Sequence, residues 1–327
     1  MSFTMTLLEW FRENGRDLPW RQTRDPYAIW LSEIILQQTR IEQGRPYWER
    51  FMRQWPTVEA LAAASEDEVL RAWQGLGYYS RARNLHTAAR QIVAMGGFPR
   101  TLEGIRQLKG VGDYTAAAIG SIAFDLPAAV VDGNVYRVLS RHYGIATPIN
   151  STEGKKEFAA LAQELLPAGE ASAFNQAMMD FGAIQCTPAS PRCLICPLQD
   201  TCVALREGRI GELPVKLKTL KVKERRLVYI YVRHQGQTVL RRRPAGDIWP
   251  GLYEPLLVEC APDGAILLRQ NVKHVLTHRI LYADFYLWEP KEKPSFTDGY
   301  FWLPETDLDH YAVPRLVEIM LDAVDRL

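Results

Sequence analysis

Residues 108–117 read LKGVGDYTAA. A helix that ends near Leu108 meets two glycines two residues apart and then a second helix start, the pattern of a tight interhelical turn. Gly110 and Gly112 admit backbone conformations that other residues resist, and they leave successive N–H groups facing outward where the second helix begins. A nest made of Gly110, Val111 and Gly112 binds a phosphate without reading base sequence. No lysine opens the second helix. Tyr114 stands there instead.

Outward from this turn the chain is helical for two thirds of its length. In DPYAIWLSEIILQQTRIEQ, Ile29, Trp30, Ile34, Ile35, Leu36 and Ile41 recur at helix spacing. DEVLRAWQGLGYYSRARNLHTAARQIVAMGG predicts a helix, a Gly-rich turn and a helix that stops at Gly96 and Gly97. Past the basic run KLKTLKVKERR (216–226) the language changes: RLVYIYVRHQGQTVLRRRP and RILYADFYLWEP alternate β-branched and aromatic residues, as strands do. An all-helical region before residue 214 and a smaller α+β domain from 227 follow, joined by a basic linker. No internal repeat or low-complexity segment interrupts either part.

The 327 residues suffice for two cores, and 47% hydrophobic with 24% charged residues marks an ordinary globular composition. A net charge of +1 is not that of a general polyanion binder, so any nucleic-acid contact must come from local basic clusters. No apolar run approaches the roughly 20 residues that span a bilayer. The opening MSFTMTLLEWFRENGRDLPWR lacks the basic-then-apolar order of a signal peptide, so the expected compartment is the cytoplasm, with no membrane partner.

Four of the five cysteines fall in CTPASPRCLICPLQDTC, as Cys186, Cys193, Cys196 and Cys202 at C-x6-C-x2-C-x5-C. Disulfides are rare in the cytosol, and Pro188, Pro191 and Pro197 stiffen the loop, so the cluster reads as a metal site. Four thiolates hold either zinc or an iron–sulfur cluster; zinc ribbons pair two C-x2-C units, and the single compact loop favours one [4Fe–4S] cluster. Cys260 is left over, most simply as a buried, unligated thiol.

Two carboxylates carry the chemistry. Glu33 sits in WLSEIILQQT with Ile29, Trp30, Leu36 and Gln37 on its own face, which disfavours its charge, raises its pKa and suits it to general acid work. Asp132, in AAVVDGNVYRVLSRHYG, stands just ahead of a helix, where free N–H groups and the dipole favour the ionised form. One protonated and one ionised carboxyl suit cleavage of a glycosidic bond through an oxocarbenium-like transition state.

The 108–117 turn resembles the helix-hairpin-helix motif of DNA repair enzymes. With LPWR, SEIILQQT, GLGYYSRARNL, VDGNVYRV, FNQAMMDFGAIQCTP and the four-cysteine loop in order, the chain resembles adenine DNA glycosylases of the MutY type, almost continuously to residue 213. The implied fold is a mainly α catalytic region, 1–213, made of a six-helix barrel (22–128) carrying the hairpin and an iron–sulfur helical lobe (1–21 and 129–213). A basic linker, 214–226, and a Nudix-like lesion-recognition domain, 227–327, complete it.

The same resemblance implies a monomer that flips adenine out of duplex DNA at A:8-oxoguanine or A:G mispairs and releases it by hydrolysis. Glu33 would protonate the adenine, and Asp132 would stabilise the sugar cation. Tyr114 and Asn134 match positions that assist them, and a lysine at the Tyr114 position marks relatives that cleave the strand. Trp20, Arg21 and Gln176 match the adenine pocket; Gln38, Thr39, Leu76 and Tyr78 match residues that fill the emptied duplex.

In the C-terminal domain TVLRRRPAGDIWPGLYEPLLVE has the Nudix outline without the acidic helix that would hold magnesium on a diphosphate. Its expected role is recognition of the 8-oxoguanine, by Thr277 and His278, with Leu276 where the family has an aromatic residue. The alternatives are an endonuclease III-like lyase or mismatch thymine glycosylase on the same scaffold, or a non-catalytic DNA-binding protein whose cluster senses redox state.

Overall fold

The computed structural model describes residues 2–217 and 222–326. Its helices are α1 (Phe3–Asn14), α2 (Pro26–Leu36), α3 (Ile41–Gln54), α4 (Val58–Ala63), α5 (Glu66–Trp73), α6 (Ser80–Ala94), α7 (Leu102–Arg106), α8 (Asp113–Phe124), α9 (Gly133–Tyr143), α10 (Thr152–Leu165), α11 (Ala171–Asp180), α12 (Val203–Arg206) and α13 (Arg315–Val324). The strands are β1 (Lys223–Val232), β2 (Gln237–Arg242), β3 (Tyr253–Glu254), β4 (Leu256–Val258), β5 (Ile266–Val275), β6 (Arg279–Trp288) and β7 (Phe301–Pro304). The chain packs as two compact units, Met1–Ala62 with Thr87–Lys218, and Ala63–His86 with Thr219–Leu327. No described helix is long and apolar enough to cross a membrane.

In the first unit α2 is the central helix. Asp25 caps it by accepting from the Tyr27 amide at 3.0 Å, and Pro26 supplies a preset φ at its start. Ala28 through Ser32 and then Ile34 and Ile35 are all buried, so the helix is apolar around its circumference. Each fully buried Ile or Leu contributes about 1.5–3 kcal/mol of burial. The small residues of α8 admit this close neighbour: Ile29 packs with Ala117, Ala118 and Ile122, and with Ala128 and Val130 beyond the helix. A second core joins Leu7 and Leu8 of α1 to Val135, Val138 and Leu139 of α9, with Phe158, Phe174 and Phe181.

The second unit holds two sheets, β4-β1-β6-β5 and β3-β2-β7. β1 and β6 run parallel, and the other pairs are antiparallel. α13 closes one core through Leu316, Val317 and Met320. β1 starts at Lys223, so the basic run expected as a linker is already strand by its last four residues; residues 218–221 of it lie outside the described residues. Residues 63–86 also belong to this unit, although their periodicity matched the helical region. Val69, Leu70, Ala72 and Trp73 give α5 a buried face, and an amphipathic pattern does not say which core that face meets. Cys260, expected to be buried, is exposed.

A buried ion network ties these sheets. Glu254 is fully buried, accepts from Arg241 Nε at 2.9 Å and Tyr229 Oη at 3.1 Å, and pairs closely with Arg243. Removing the acid leaves the buried Arg243 guanidinium with one carboxylate in place of two, and breaking a buried pair costs about 3–5 kcal/mol. Glu254→Ala is therefore expected to lower the unfolding free energy of the full chain, measured in urea, by about 3–5 kcal/mol, and an unchanged value would assign the Arg243 charge to Asp247, which pairs with it at 2.7 Å.

Candidate active site

Glu33 projects from α2 into a cleft of about 820 Å³. Its Oε2 accepts from the Tyr114 hydroxyl at 3.2 Å, and the same hydroxyl lies 3.9 Å from Met179 Sδ. Burial pushes the Glu33 pKa up to about 7; Asp132 adds to the rise, while the Tyr114 hydrogen bond and Arg21 oppose it. The carboxyl is thus poised to hold a proton near neutral pH and to give it up.

Asp132 is the N-cap of α9. Its Oδ1 accepts from the amides of Asn134 and Val135, both at 2.8 Å, and its Oδ2 accepts from Asn134 Nδ2 at 2.8 Å. These bonds favour the anion as expected from the cap, yet burial outweighs them and the pKa is raised, not lowered. The two carboxyls are therefore separated less by opposite shifts than by their partners. Asp132 accepts from three donors, whereas Tyr114 is the donor placed on Glu33.

Gly182 sets the height of this cap. A Cβ there would lie 2.5 Å from the Asn134 Cβ, so only glycine lets the turn after α11 press against the α9 start. Arg137 fixes the contact by donating to Asn134 Oδ1 at 2.8 Å, to the Gly182 carbonyl at 2.6 Å and to the Cys186 carbonyl at 2.7 Å. Neither residue stood out in the sequence, where an Arg in an amphipathic helix reads as surface.

Trp20, Arg21 and Gln176 line the same cleft, as do Gln38 and Thr39. Trp20 is buried edge-on to Trp48 at 5.6 Å. Gln176 Nε2 is turned onto Ser172, donating to its Oγ at 3.0 Å. Arg21 is held by Asp180, at 2.6 Å to Oδ2 and 2.8 Å to Oδ1, and Arg16 Nε reaches the same carboxylate at 2.8 Å. Burial works against this anion, but the hydrogen bonds from Arg21 and Arg16 hold its pKa below the ordinary carboxylate value. Sequence reading missed Asp180. The available signal was an acid in the middle of the otherwise apolar AMMDFGA.

The hairpin lies outside the cleft. Gly110 has φ +80°, a left-handed conformation that favours glycine, while Gly112 is extended at φ −96° and ψ −178°, open to any residue. A Cβ at Gly112 would meet nothing within 4 Å. The Val111 side chain is buried, so this residue offers its neighbours only backbone.

Leu76, Tyr78, Thr277 and His278 line a different cavity, of about 520 Å³, in the second unit. Leu76 is buried there. Tyr78 is half exposed at φ +47°, an uncommon conformation for an aromatic residue, and its hydroxyl shares a 2.9 Å hydrogen bond with Thr277 Oγ1.

Cys186, Cys193, Cys196 and Cys202 line one pocket with Phe181 and Leu198. Among the described residues no three His, Cys, Asp or Glu side chains converge as they would on a single ion. Burial first, and then neighbouring thiols, push Cys196 up to about 11 and raise Cys193 and Cys202. Thiols that disfavour one another's ionisation fit a cationic guest that would reverse the effect. Arg141 braces the loop, donating to the Thr187 carbonyl at 2.8 Å and the Pro188 carbonyl at 2.9 Å, with Nη1 3.5 Å from Cys186 Sγ.

Known proteins share both parts of this chain. A family model described as HhH-GPD superfamily base excision DNA repair protein matches residues 31–168, and a NUDIX domain model matches residues 227–323. The adenine DNA glycosylase of Buchnera aphidicola (subsp. Acyrthosiphon pisum) is 35% identical over 338 residues, covering 98% of this chain and 97% of the relative. The chain belongs to the adenine DNA glycosylase family. The Rattus norvegicus adenine DNA glycosylase is 45% identical over 227 residues, 65% of this chain, and that match spans 44% of the rat protein. Among solved structures, a thermostable thymine-DNA glycosylase superposes with a TM-score of 0.58 at 34% identity, over 63% of this chain and 95% of that one. A non-covalent endonuclease III–DNA complex shares the fold, with a TM-score of 0.55 at 23% identity, over 63% of this chain and 94% of that one.

Family membership joins the helical fold and the C-terminal Nudix-like domain in one molecule. For the fold, the raised Glu33 pKa has a defined sign. Below pH 4.5 the folded and unfolded chains both hold the proton; from there to about pH 7 only the folded chain does, so stability falls as pH rises through this window. Between pH 5 and pH 8 the wild type should lose about 2–3 kcal/mol relative to Glu33→Gln in urea unfolding. A constant difference between the two would mean that Glu33 titrates normally.

Proposed function

We propose that the chain removes adenine mispaired with 8-oxoguanine, and more weakly adenine opposite G, from duplex DNA by hydrolysis. The observation that carries this reading is the Tyr114–Glu33 hydrogen bond of 3.2 Å, in a cleft that also holds the capped Asp132. Adenine flipped into that cleft presents N7 to Glu33. The proton moves from the Glu33 carboxyl to N7, the C1′–N9 bond breaks with its electron pair going to the base, and the base leaves neutral. The cation at C1′ faces the Asp132 carboxylate, whose orientation Asn134 and the α9 amides fix. Water then adds to C1′ and returns a proton to Glu33.

Tyr114 offers a hydroxyl where a lyase needs an amine to form an imine with the sugar. Simple hydrolysis follows, with an intact strand at the abasic site. Trp20, with Arg21 set by Asp180, would bound the base, and Gln38 and Thr39 would enter the duplex. The Gly110–Gly112 hairpin would hold a phosphate. In the second unit, Tyr78 with Thr277 and His278 would meet the opposite 8-oxoguanine, and the Tyr78–Thr277 hydrogen bond supports one joint site.

Cys186, Cys193, Cys196 and Cys202 would hold one [4Fe–4S] cluster. When bound, such a group cross-links the loop through four sulfur ligands. Arg192, exposed in that loop, would then approach the duplex backbone.

Single-turnover reactions with an A:8-oxoguanine duplex, with and without alkali, test the reaction. Breaks should appear only after alkali, Glu33→Gln should abolish them while leaving duplex binding near normal, and the rate should fall as pH rises through about 7. Alkali-independent breaks trapped by borohydride would favour the lyase, and base release by Glu33→Gln would sink the mechanism. For the cluster, the purified protein should be brown and contain about four irons; a colourless preparation with stoichiometric zinc would refute it.

A further inference from the structure

Bonded and unbonded amides alternate along the hairpin, and one of the bonded ones is held by a side chain from outside it. Gln91, on α6, accepts from the Lys109 amide through Oε1 at 2.7 Å and reaches back to the Gln107 carbonyl through Nε2 at 3.5 Å. The Val111 amide turns inward to the Leu108 carbonyl at 3.1 Å, and its side chain is buried. With 109 and 111 satisfied inside, the amides of Gly110 and Gly112 have no acceptor among the described residues. We infer that Gln91 is a positioning residue for the phosphate grip, its carboxamide holding the hairpin so that these two N–H groups face a duplex phosphate together.

The inference rests on the DNA-binding reading above and adds a residue to it. Other ties across the turn are weaker. The Arg106–Asp113 pair spans it at 2.9 Å, but Asp113 is 89% exposed, and such pairs contribute little. α7 is a single short helix of five residues that cannot hold the turn by its own length. Without the carboxamide, the Val111 hydrogen bond, the buried Leu108 and Val111 side chains and the exposed Arg106–Asp113 pair would remain, and Lys109 N–H would be free to compete for the same phosphate from a different angle.

Binding of the full-length holoprotein to an undamaged duplex and to an A:8-oxoguanine duplex, measured across salt concentrations, tests this. Gln91→Leu should weaken both duplexes alike, by about tenfold, and lower the slope of log affinity against log salt by about one. Its single-turnover rate at saturating enzyme should match wild type. Gln91→Glu, which keeps the acceptor for Lys109, should retain the wild-type slope. Amide exchange at Lys109 should quicken in Gln91→Leu and not in Gln91→Glu. Wild-type affinity and slope in Gln91→Leu, despite faster exchange at Lys109, would overturn the role, as would a fall in the bound-state rate equal to the loss of affinity. Wild-type protein that binds duplex with no salt slope would remove the parent reading first, a result distinct from either.

Discussion

A carboxyl group fixed in the middle of a helix that is apolar on every side has few options. Glu33 stands half-buried at the wall of the cleft between the buried Ile29, Trp30 and Ile34 of its own helix, and α2 is the element against which α8 and the rest of the first core assemble. Holding a proton is the cheaper state. Every other feature of the cleft is arranged around that constraint. Tyr114 donates one hydrogen bond to Glu33, Asp180 restrains Arg21, and Asp132 keeps its three donors to itself.

The local part of this design was legible from the residues. Glu33 betrays itself through Ile29, Trp30 and Leu36 at helix spacing, and Asp132 through its place before an amphipathic stretch, since caps and helix faces are short-range properties. The β-branched alternation after residue 226 marks strands for the same reason, whereas the charged start of β1 at 223–226 does not. The direction of the Asp132 shift was not legible, because it depends on burial contributed by residues far away in the chain. Nor was the membership of residues 63–86 in the second unit, nor the exposure of Cys260. Gly112 looked like a twin of Gly110 in sequence, and only the torsion angles separate a required glycine from a permitted one.

Two kinds of support hold the site, and they differ in sensitivity to change. Hydrogen bonds such as those of Arg137 tolerate small displacements by re-aiming a flexible side chain. The contact of Gly182 with Asn134 does not, since a single added methyl meets backbone and Cβ within 3 Å. The same logic separates the hairpin, where Gln91 holds one amide, from the α9 cap, where Gly182 presses directly on Asn134.

Asp180 and its arginines have a consequence for how the molecule comes into being. The floor of the cleft joins Arg16 and Arg21 to a partner about 160 residues downstream. A chain emerging from the ribosome carries Glu33 and Asp132 well before it carries Asp180, so both carboxyls exist for a time without the wall that bounds them. The two arginines are unpaired during that interval, and the N-terminal segment is free to sample other partners. Synthesis at about 5–20 residues per second is far slower than loop closure, so the cleft can close only once Asp180 has been made, a little past the middle of the 327-residue chain.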